Sequence, residues 1–258
     1  MKKRVILSVL LPILSWIPLA AQQPDASEIM DKSRDLTLTG SMSANIHMSI
    51  TEKNGTSRSR TLAMTTKSYQ NGQEKRFIKF LEPADVKGTT MLIIDNKDIA
   101  DEMWIYLPAL KKTRRIVSSE KGKSFMSSEF SNADMSSPPL TDFSNKHLDG
   151  SGSNSQWIIE STPINGDKAD EYGYSRKISY ISTGNYQVKK MDFYSFDNEL
   201  FKVIEMKAYY PLPDGKFLVQ NMAASNLLSG RRSEINMTNI TVGAQIDDSV
   251  FSLQNLER

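Results

Sequence analysis

Residues 41–83, SMSANIHMSITEKNGTSRSRTLAMTTKSYQNGQEKRFIKFLEP, contain three β-type segments separated by two turn signals. The turn signals are Lys53-Asn54-Gly55 and Asn71-Gly72, and an Asn-Gly pair is typical of tight turns between antiparallel strands. The three segments are Ser41–Thr51, Arg58–Tyr69 and Lys75–Leu81. Apolar and polar residues alternate over part of the middle segment, as expected for a half-buried strand. The region therefore predicts an antiparallel meander.

Short apolar segments bounded by turn residues continue downstream of this region. They are Met91–Ile94, Met103–Leu107, Lys112–Val117, Trp157–Glu160, Arg176–Ser182, Tyr186–Phe196, Phe201–Tyr210, Lys216–Ser225 and Ser233–Thr241. Together with the first three, they recur at a spacing of roughly 8–15 residues, which favours an antiparallel all-β fold over βαβ units.

One helix is predicted upstream of the strands, where Asp25 precedes Glu28 by three residues in a pattern that resembles a capping box. Asp149–Ser155 is predicted to be a long hairpin tip, and Asp95–Glu102 a solvated one. Neither is long enough to divide the chain. The sequence therefore predicts a single β-rich domain over residues 22–258.

Residues 1–21 have the pattern of a secretory signal peptide. Basic Lys2-Lys3-Arg4 precedes an apolar run over Val5–Leu19, and small residues follow up to Ala21. The run is shorter than the ~20 residues that a membrane-spanning helix needs. We therefore expect cleavage near Ala21 and a periplasmic mature chain. Because the sequence has no cysteine, it cannot carry a lipid-modified cysteine at the mature N-terminus.

The composition argues against several kinds of site. The 258 residues include no cysteine and two histidines, so thiolate sites and histidine-rich metal or acid–base sites lack material. The net charge of +2 does not indicate nucleic-acid binding. Gly122-Lys123-Ser124 lacks the upstream glycine of a phosphate-binding loop, because Val117 occupies that position. We expect no metal site, no cofactor, no nucleic-acid partner and no enzymatic activity.

The later strands are predicted to be covered on both faces. Within residues 201–210, Phe201 and Val203 share one parity, whereas Ile204 and Met206 share the other. A strand that is apolar on both faces must be buried on both, so the concave face of a curved sheet would hold helices or a ligand. Methionine, which adapts to irregular apolar spaces, occurs 13 times, although any single one is expected to be ordinary core.

The sequence MWIYLPALKKTRRI (103–116) predicts a hairpin that turns at Pro108. Trp104 and Tyr106 share one face and, with Leu107, are candidates to line the mouth of an acyl-chain cavity. The hairpin also carries four cations, which are Lys111, Lys112, Arg114 and Arg115. These form either a solvated basic edge that discourages aggregation or a patch for a partner, an anionic head group or a membrane surface.

The sequence SFMSSEFSNADM (124–135) predicts a short helix. Met126, Phe130 and Ala133 have i, i+4, i+7 spacing, and Pro138-Pro139 would end the helix. Such a helix is a candidate lid over a concave sheet, and packed core is the alternative. The residues expected to contact a ligand here are Phe125, Met126, Phe130 and Met135.

Four segments carry a resemblance to a known family. They are RFIKFLEPADVKGTTMLI (76–93), WIYLPALKKTRRI (104–116), SFMSSEFSNADM (124–135) and RRSEINMTNITVGAQIDDSVFSLQNLER (231–258). They resemble the outer-membrane lipoprotein-sorting protein family, a LolA-like group related to an uncharacterised spirochaete domain. The resemblance implies a mainly β fold: a curved, unclosed antiparallel half-barrel with a few short helices on its concave side. It also implies a cavity, because related carriers hold the acyl chains of lipoproteins there.

Two functions from different classes follow. The first is a periplasmic carrier or binder of lipid or lipoprotein acyl chains in outer-membrane lipoprotein sorting or envelope lipid transport. Its partners would be those acyl chains and an inner-membrane transporter, with peripheral membrane contact. Burial of an acyl chain contributes about 0.8 kcal/mol per CH₂, so an apolar groove suffices. The second is a non-enzymatic accessory protein of an envelope transport complex that acts by protein–protein binding, with its own helices filling the cavity.

Overall fold

The structure is a computed structural model, and it describes residues 23–258. The signal peptide predicted over residues 1–21 therefore lies outside the described residues. The described part contains three helices, which are α1 (Ala26–Asp35), α2 (Ser118–Lys121) and α3 (Gly166–Tyr172). Several single 3-10 turns accompany them. Within residues 23–258, no helix has the length and apolar character needed to cross a bilayer.

Thirteen strands of the described residues form one sheet. The first six are β1 (Ser41–Thr51), β2 (Ser57–Ser68), β3 (Glu74–Glu82), β4 (Thr90–Asp95), β5 (Glu102–Leu107) and β6 (Lys112–Arg115). The other seven are β7 (Phe143–His147), β8 (Gln156–Pro163), β9 (Arg176–Ser182), β10 (Val188–Tyr194), β11 (Leu200–Pro211), β12 (Phe217–Asn226) and β13 (Arg232–Val242). All twelve strands expected from the sequence are confirmed. The sequence pattern missed β7, because FSNKH offers a single large apolar residue.

The strand order is β6-β5-β4-β3-β2-β1-β13-β12-β11-β10-β9-β8-β7, and every neighbouring pair is antiparallel. The chain thus makes two meanders that meet where β13 pairs with β1. Because β6 and β7 are the two opposite edges, residues 116–142 must carry the chain from one edge to the other. We call residues 116–142 the crossing segment.

The sheet is strongly curved. Thirteen flat strands spaced ~4.8 Å apart would span about 58 Å. Nevertheless, Phe80 of β3 and Phe193 of β10 belong to one apolar core together with Phe125 and Phe130 of the crossing segment. The rings of Phe80 and Phe125 are 6.1 Å apart. One face of the sheet therefore closes around the crossing segment, which confirms the curved, unclosed half-barrel.

Helix α1 also lies on the concave side. Asp25 caps it, because its Oδ1 accepts a hydrogen bond from the backbone N–H of Ser27 at 2.8 Å. Ile29 is fully buried and packs with Trp157 and Ile181, so the helix covers the concave face of β8 and β9. This arrangement confirms the helix expected at the start of the domain.

The C-terminal residues cover part of the convex face. Phe251 and Leu256 form a second apolar cluster with Leu92 of β4, and Trp104 and Tyr106 of β5 pack against it. The Thr90 hydroxyl donates a hydrogen bond to the Leu256 carbonyl at 2.5 Å. The end of the chain is thus part of the fold.

Two local predictions are wrong. The helix expected over residues 124–135 is absent: Phe125–Ser127 and Ala133–Met135 are single 3-10 turns, and Met126 has φ +49°. An antiparallel bridge between Ser124 and Ser131 replaces the helix. The tip at Asp95–Glu102 does join two strands, but Asp95 and Asp101 are buried instead of solvated, because both face the charge of Arg76.

Candidate functional site

A cavity of about 350 Å³ lies between the concave face and the crossing segment. This volume is within the range of small-molecule sites, ~300–1,000 Å³. The walls come from both meanders, with Ile46 of β1 and Ile78 of β3 on one side and Ile204 of β11 on the other. Phe125 and Phe130 of the crossing segment also line it. The crossing segment therefore fills only part of the concave side of the sheet, and the cavity is the space that remains beside it.

Methionine is the most frequent residue type in the apolar wall. Eight of the 13 methionines line the cavity, and these are Met42, Met48, Met64, Met135, Met191, Met206, Met222 and Met237. Met206 and Met222 are direct partners across β11 and β12, and both are half-buried. Because methionine is unbranched and flexible, such a wall can adapt to ligands of different shape. As a group, these residues form much of the cavity wall, and Met42 and Met48 are also buried core.

The crossing segment is tied to the sheet at several places. Near its middle, the Glu129 N–H donates to Ser233 Oγ at 2.9 Å, and the Glu129 carboxylate lies 2.7 Å from the guanidinium of Arg231. Further on, Arg76 of β3 donates a hydrogen bond to the carbonyl of Met135. Arg76 lies in β3 and Arg231 immediately precedes β13, so both cations tie the segment to the sheet over the cavity.

A buried charge cluster surrounds Arg76 at the cavity wall. Its guanidinium lies 2.6 Å from the carboxylate of Glu74 and 3.3 Å from that of Asp95. Asp101 stands behind Asp95 and accepts the Asn96 N–H at 3.0 Å. Burial raises the pKa of Asp95 to about 6, and burial together with the negative charge of Asp95 raises the pKa of Asp101 to about 7. The cluster therefore holds more acid than base.

A second charged group lies on the same wall, at Lys177 of β9. Asp134 of the crossing segment also lines the cavity, and its carboxylate is 2.6 Å from the ammonium of Lys202. The Lys177 ammonium is 5.3 Å from the ring centroid of Phe143. Burial lowers the pKa of Lys177 to about 8, against the smaller opposing effect of Asp134.

The structure divides the predicted acyl-chain residues into three groups. Phe125, Phe130 and Met135 line the cavity. Met126 and Leu107 are half-buried and pack against the main core without lining it. Trp104 and Tyr106 lie on the convex face under the C-terminal residues, and so are remote from the concave wall. Their shared face was predicted, but period-two alternation does not say which face is concave.

The predicted basic patch is a real surface feature of the β5–β6 hairpin. Lys111, Lys112, Arg114 and Arg115 are all exposed. Arg114 lies 2.6 Å from the Glu120 carboxylate, and the Arg115 guanidinium is 5.8 Å from the Trp104 ring centroid. Strand β6 is an edge strand that pairs with β5 alone in this sheet, so the patch lies along one margin of the sheet.

Exposed apolar residues share one end of the sheet with this hairpin. In an antiparallel sheet every second turn falls at the same end, and the register places the β5–β6, β10–β11 and β12–β13 turns together. Leu110, Phe196, Leu227 and Leu228 occupy these three turns and are 51–69% exposed. We call these four residues the apolar tips.

Sequence reasoning missed Arg76, Asp134 and Lys177 as members of the site. Lys177 shares one face of β9 with Ser179 and Ile181, and Ile181 packs against α1. A lysine on an otherwise inward-facing parity was the available signal.

The fold and the cavity define a protein of the LolA-like half-barrel class. Its crystal-structure neighbours include an outer membrane lipoprotein-sorting protein domain from Vibrio parahaemolyticus, with 25% identity, a TM-score of 0.82, and coverage of 90% of this chain and 98% of that one. A DUF1329 family protein from Desulfovibrio piger has 25% identity and a TM-score of 0.78, covering 90% and 97%. The LolA superfamily protein NE2245 from Nitrosomonas europaea shares the fold at 16% identity and a TM-score of 0.69, covering 90% and 100%.

The chain belongs to a family described as "Uncharacterized protein", whose model matches residues 72–258. No curated protein matches it in sequence. The family resemblance predicted from the four sequence segments is confirmed.

Proposed function

We propose that this protein is a periplasmic carrier of lipid or lipoprotein acyl chains, acting in outer-membrane lipoprotein sorting or envelope lipid transport. The methionine-lined cavity between the concave sheet and the crossing segment is the observation that carries the proposal. A neighbour described as a lipoprotein-sorting domain, covered over 98% of its length, supports the same class of function.

The apolar wall supplies the binding energy in this proposal. Each buried CH₂ contributes about 0.8 kcal/mol, so a chain of ten carbons gains several kcal/mol before the cost of ordering it. Half-buried side chains such as Met206, Met222 and Met237 present the accessible part of this wall. No bond is made or broken, and no cofactor or metal is required.

The crossing segment controls access. Phe125 and Phe130 fill the space beside the cavity, and the contacts of Glu129 and Met135 hold the segment in place. Loading a long chain requires this segment to shift, because the present volume accommodates a small ligand or part of a long chain. In this proposal the segment acts as the lid of the cavity, although it consists of turns and not of the helix expected from the sequence.

The test uses the mature protein purified from the native envelope. Mass spectrometry of an organic extract should find lipid at a molar ratio near one, and the delipidated protein should take up a fluorescent fatty acid saturably. Absence of both co-purified lipid and saturable uptake would contradict the proposal.

A second function is favoured by one specific surface. The apolar tips and the basic hairpin together form an end of the sheet suited to a partner. If the protein is an accessory subunit of an envelope transport complex, substitutions at the apolar tips will abolish complex formation, whereas lipid uptake will be absent in the unmodified protein.

A further inference from the structure

We propose that the ligand of this cavity is an amphiphile with an anionic head group, and that the Lys177 ammonium binds that head group. This inference rests on the proposed function and names the chemistry of its ligand. The carrier would thereby discriminate fatty-acid-like or phosphate-bearing lipids from neutral ones of equal chain length.

The first observation is that Lys177 lacks an ionic partner. The other charged residues that line the cavity, Glu74, Arg76 and Asp134, each have an opposite charge within 4.0 Å. Among residues 23–258, no carboxylate lies within that distance of the Lys177 ammonium, and no residue there accepts a hydrogen bond from it. It is an unpaired cation on an apolar wall.

The second observation is a local excess of positive charge. Asp134 carries one negative charge and is neutralised by Lys202 at 2.6 Å, with the Ser131 N–H as a further donor at 2.7 Å. Lys177 adds a second cation to this group. The surroundings are otherwise apolar or aromatic, including Phe193 and Tyr174. An unpaired charge in such a setting is costly, so an anion that enters the cavity gains a partner without losing one.

The third observation is the position of the amine relative to the apolar wall. In the strand register, Lys177 pairs with Phe193 of β10, and Met191 of the same strand lines the cavity on the same face. A head group at Lys177 therefore places its chain along the row of methionines. The lowered pKa of about 8 leaves the amine mainly protonated at neutral pH, and a bound anion would raise it again.

The experiment compares two ligands that differ in the head group alone, palmitate and hexadecanol. The delipidated mature protein should bind palmitate at least tenfold more tightly than hexadecanol. Lys177→Met should lose this preference and keep the affinity for hexadecanol, whereas Lys177→Arg should retain the preference. Lys207→Met serves as the control, because it removes an exposed lysine from the face of β11 that points away from the cavity. This variant should behave like the unmodified protein.

The outcomes separate the head group from the cavity. Equal binding of both ligands by the unmodified protein, or a preference that survives in Lys177→Met, would overturn the role of Lys177 and leave the carrier function standing. Failure to bind either ligand would overturn the carrier function as well. Displacement of palmitate by acetate at comparable concentration would identify a small-anion site and overturn the amphiphile.

Discussion

The guanidinium of Arg231, the residue just before β13, lies 2.7 Å from the Glu129 carboxylate of the crossing segment, and the Glu129 side chain is only 6% exposed. Arg231 also donates a hydrogen bond to the carbonyl of Ser127 at 3.0 Å. These contacts join the start of the central strand, β13, to the part of the segment that carries Phe125 and Phe130. The ion pair is therefore expected to hold the proposed lid, the crossing segment, in its closed position.

Removing the Arg231–Glu129 ion pair should make the crossing segment easier to displace from the cavity. Arg231→Met leaves the Glu129 carboxylate buried without its cation, which should lower the free energy of unfolding by on the order of 1–3 kcal/mol. The release of a bound fluorescent fatty acid should become faster by stopped-flow measurement. Arg232→Met, at the neighbouring position, where the side chain is 42% exposed, is the control. Unchanged release kinetics in Arg231→Met would show that the segment does not gate the cavity.

Filling the cavity should prevent ligand uptake without unfolding the protein. Met222→Trp places a larger side chain at a half-buried position of the wall, opposite Met206. We expect the affinity for a fatty-acid probe to fall at least tenfold, with little change in the melting temperature. Val203→Trp makes the same kind of change on the other face of β11 and should bind normally. Equal binding by both variants would place the ligand elsewhere.

The basic hairpin should contribute to surface attraction far more than to folding. Replacement of Lys111, Lys112, Arg114 and Arg115 by glutamine should leave the melting temperature nearly unchanged, because exposed ion pairs contribute only ~0–1 kcal/mol. Binding to vesicles with anionic lipid should weaken, most clearly at low salt.

A control with the same loss of charge replaces four exposed lysines elsewhere, Lys32, Lys97, Lys146 and Lys207. It should retain vesicle binding. If both sets weaken binding equally, net charge and not the hairpin is responsible. A large loss of stability in the hairpin variant would assign these cations a structural role.

The acidic cluster around Arg76 predicts a pH dependence of stability. The pKa of Asp101 is raised to about 7 in the folded protein from an ordinary value of 3.8, so the folded state binds more protons than the unfolded state between these values. The contribution of Asp101 is therefore fully present at acid pH and is lost as the pH rises through about 7.

Asp101→Asn keeps the acceptor for the Asn96 N–H and removes the titration. Urea denaturation should show that the unfolding free energy of the unmodified protein falls between pH 5 and pH 8 by more than that of Asp101→Asn. The difference between the two decreases should be on the order of 1–3 kcal/mol. Parallel pH profiles for the two proteins would contradict a raised pKa at this position.

The C-terminal residues should be needed for stability. Leu256 is fully buried against Leu92, so Leu256→Ala should cost about 2–5 kcal/mol in urea denaturation. Leu253 is 45% exposed in the same 3-10 turn, and Leu253→Ala should change stability by less than ~0.5 kcal/mol. Equal effects would mean that the end of the chain does not cover the convex face.

Local pattern was sufficient to locate twelve strands and α1, because period-two alternation, Asn-Gly turns and the Asp25 cap are properties of neighbouring residues. It failed over residues 124–135, where i, i+4, i+7 spacing suggested a helix. There the segment runs against the sheet, and contacts with Ser233, Arg231 and Arg76 satisfy its backbone and polar groups in place of helical hydrogen bonds.

The sequence alone was enough for the β class, the strand positions, the shared face of Trp104 and Tyr106, and the family. Tertiary structure decided which face of each strand is concave, so that Trp104 lies under the C-terminus while Phe130 and Met206 both line the cavity. It also decided that Lys177 stands without an ionic partner, whereas Arg76 and Lys202 are paired. The physical reason is that alternation specifies two faces without distinguishing them. The curvature that brings β3, β10 and the crossing segment together arises from pairing across the whole sheet, which no local stretch of sequence encodes.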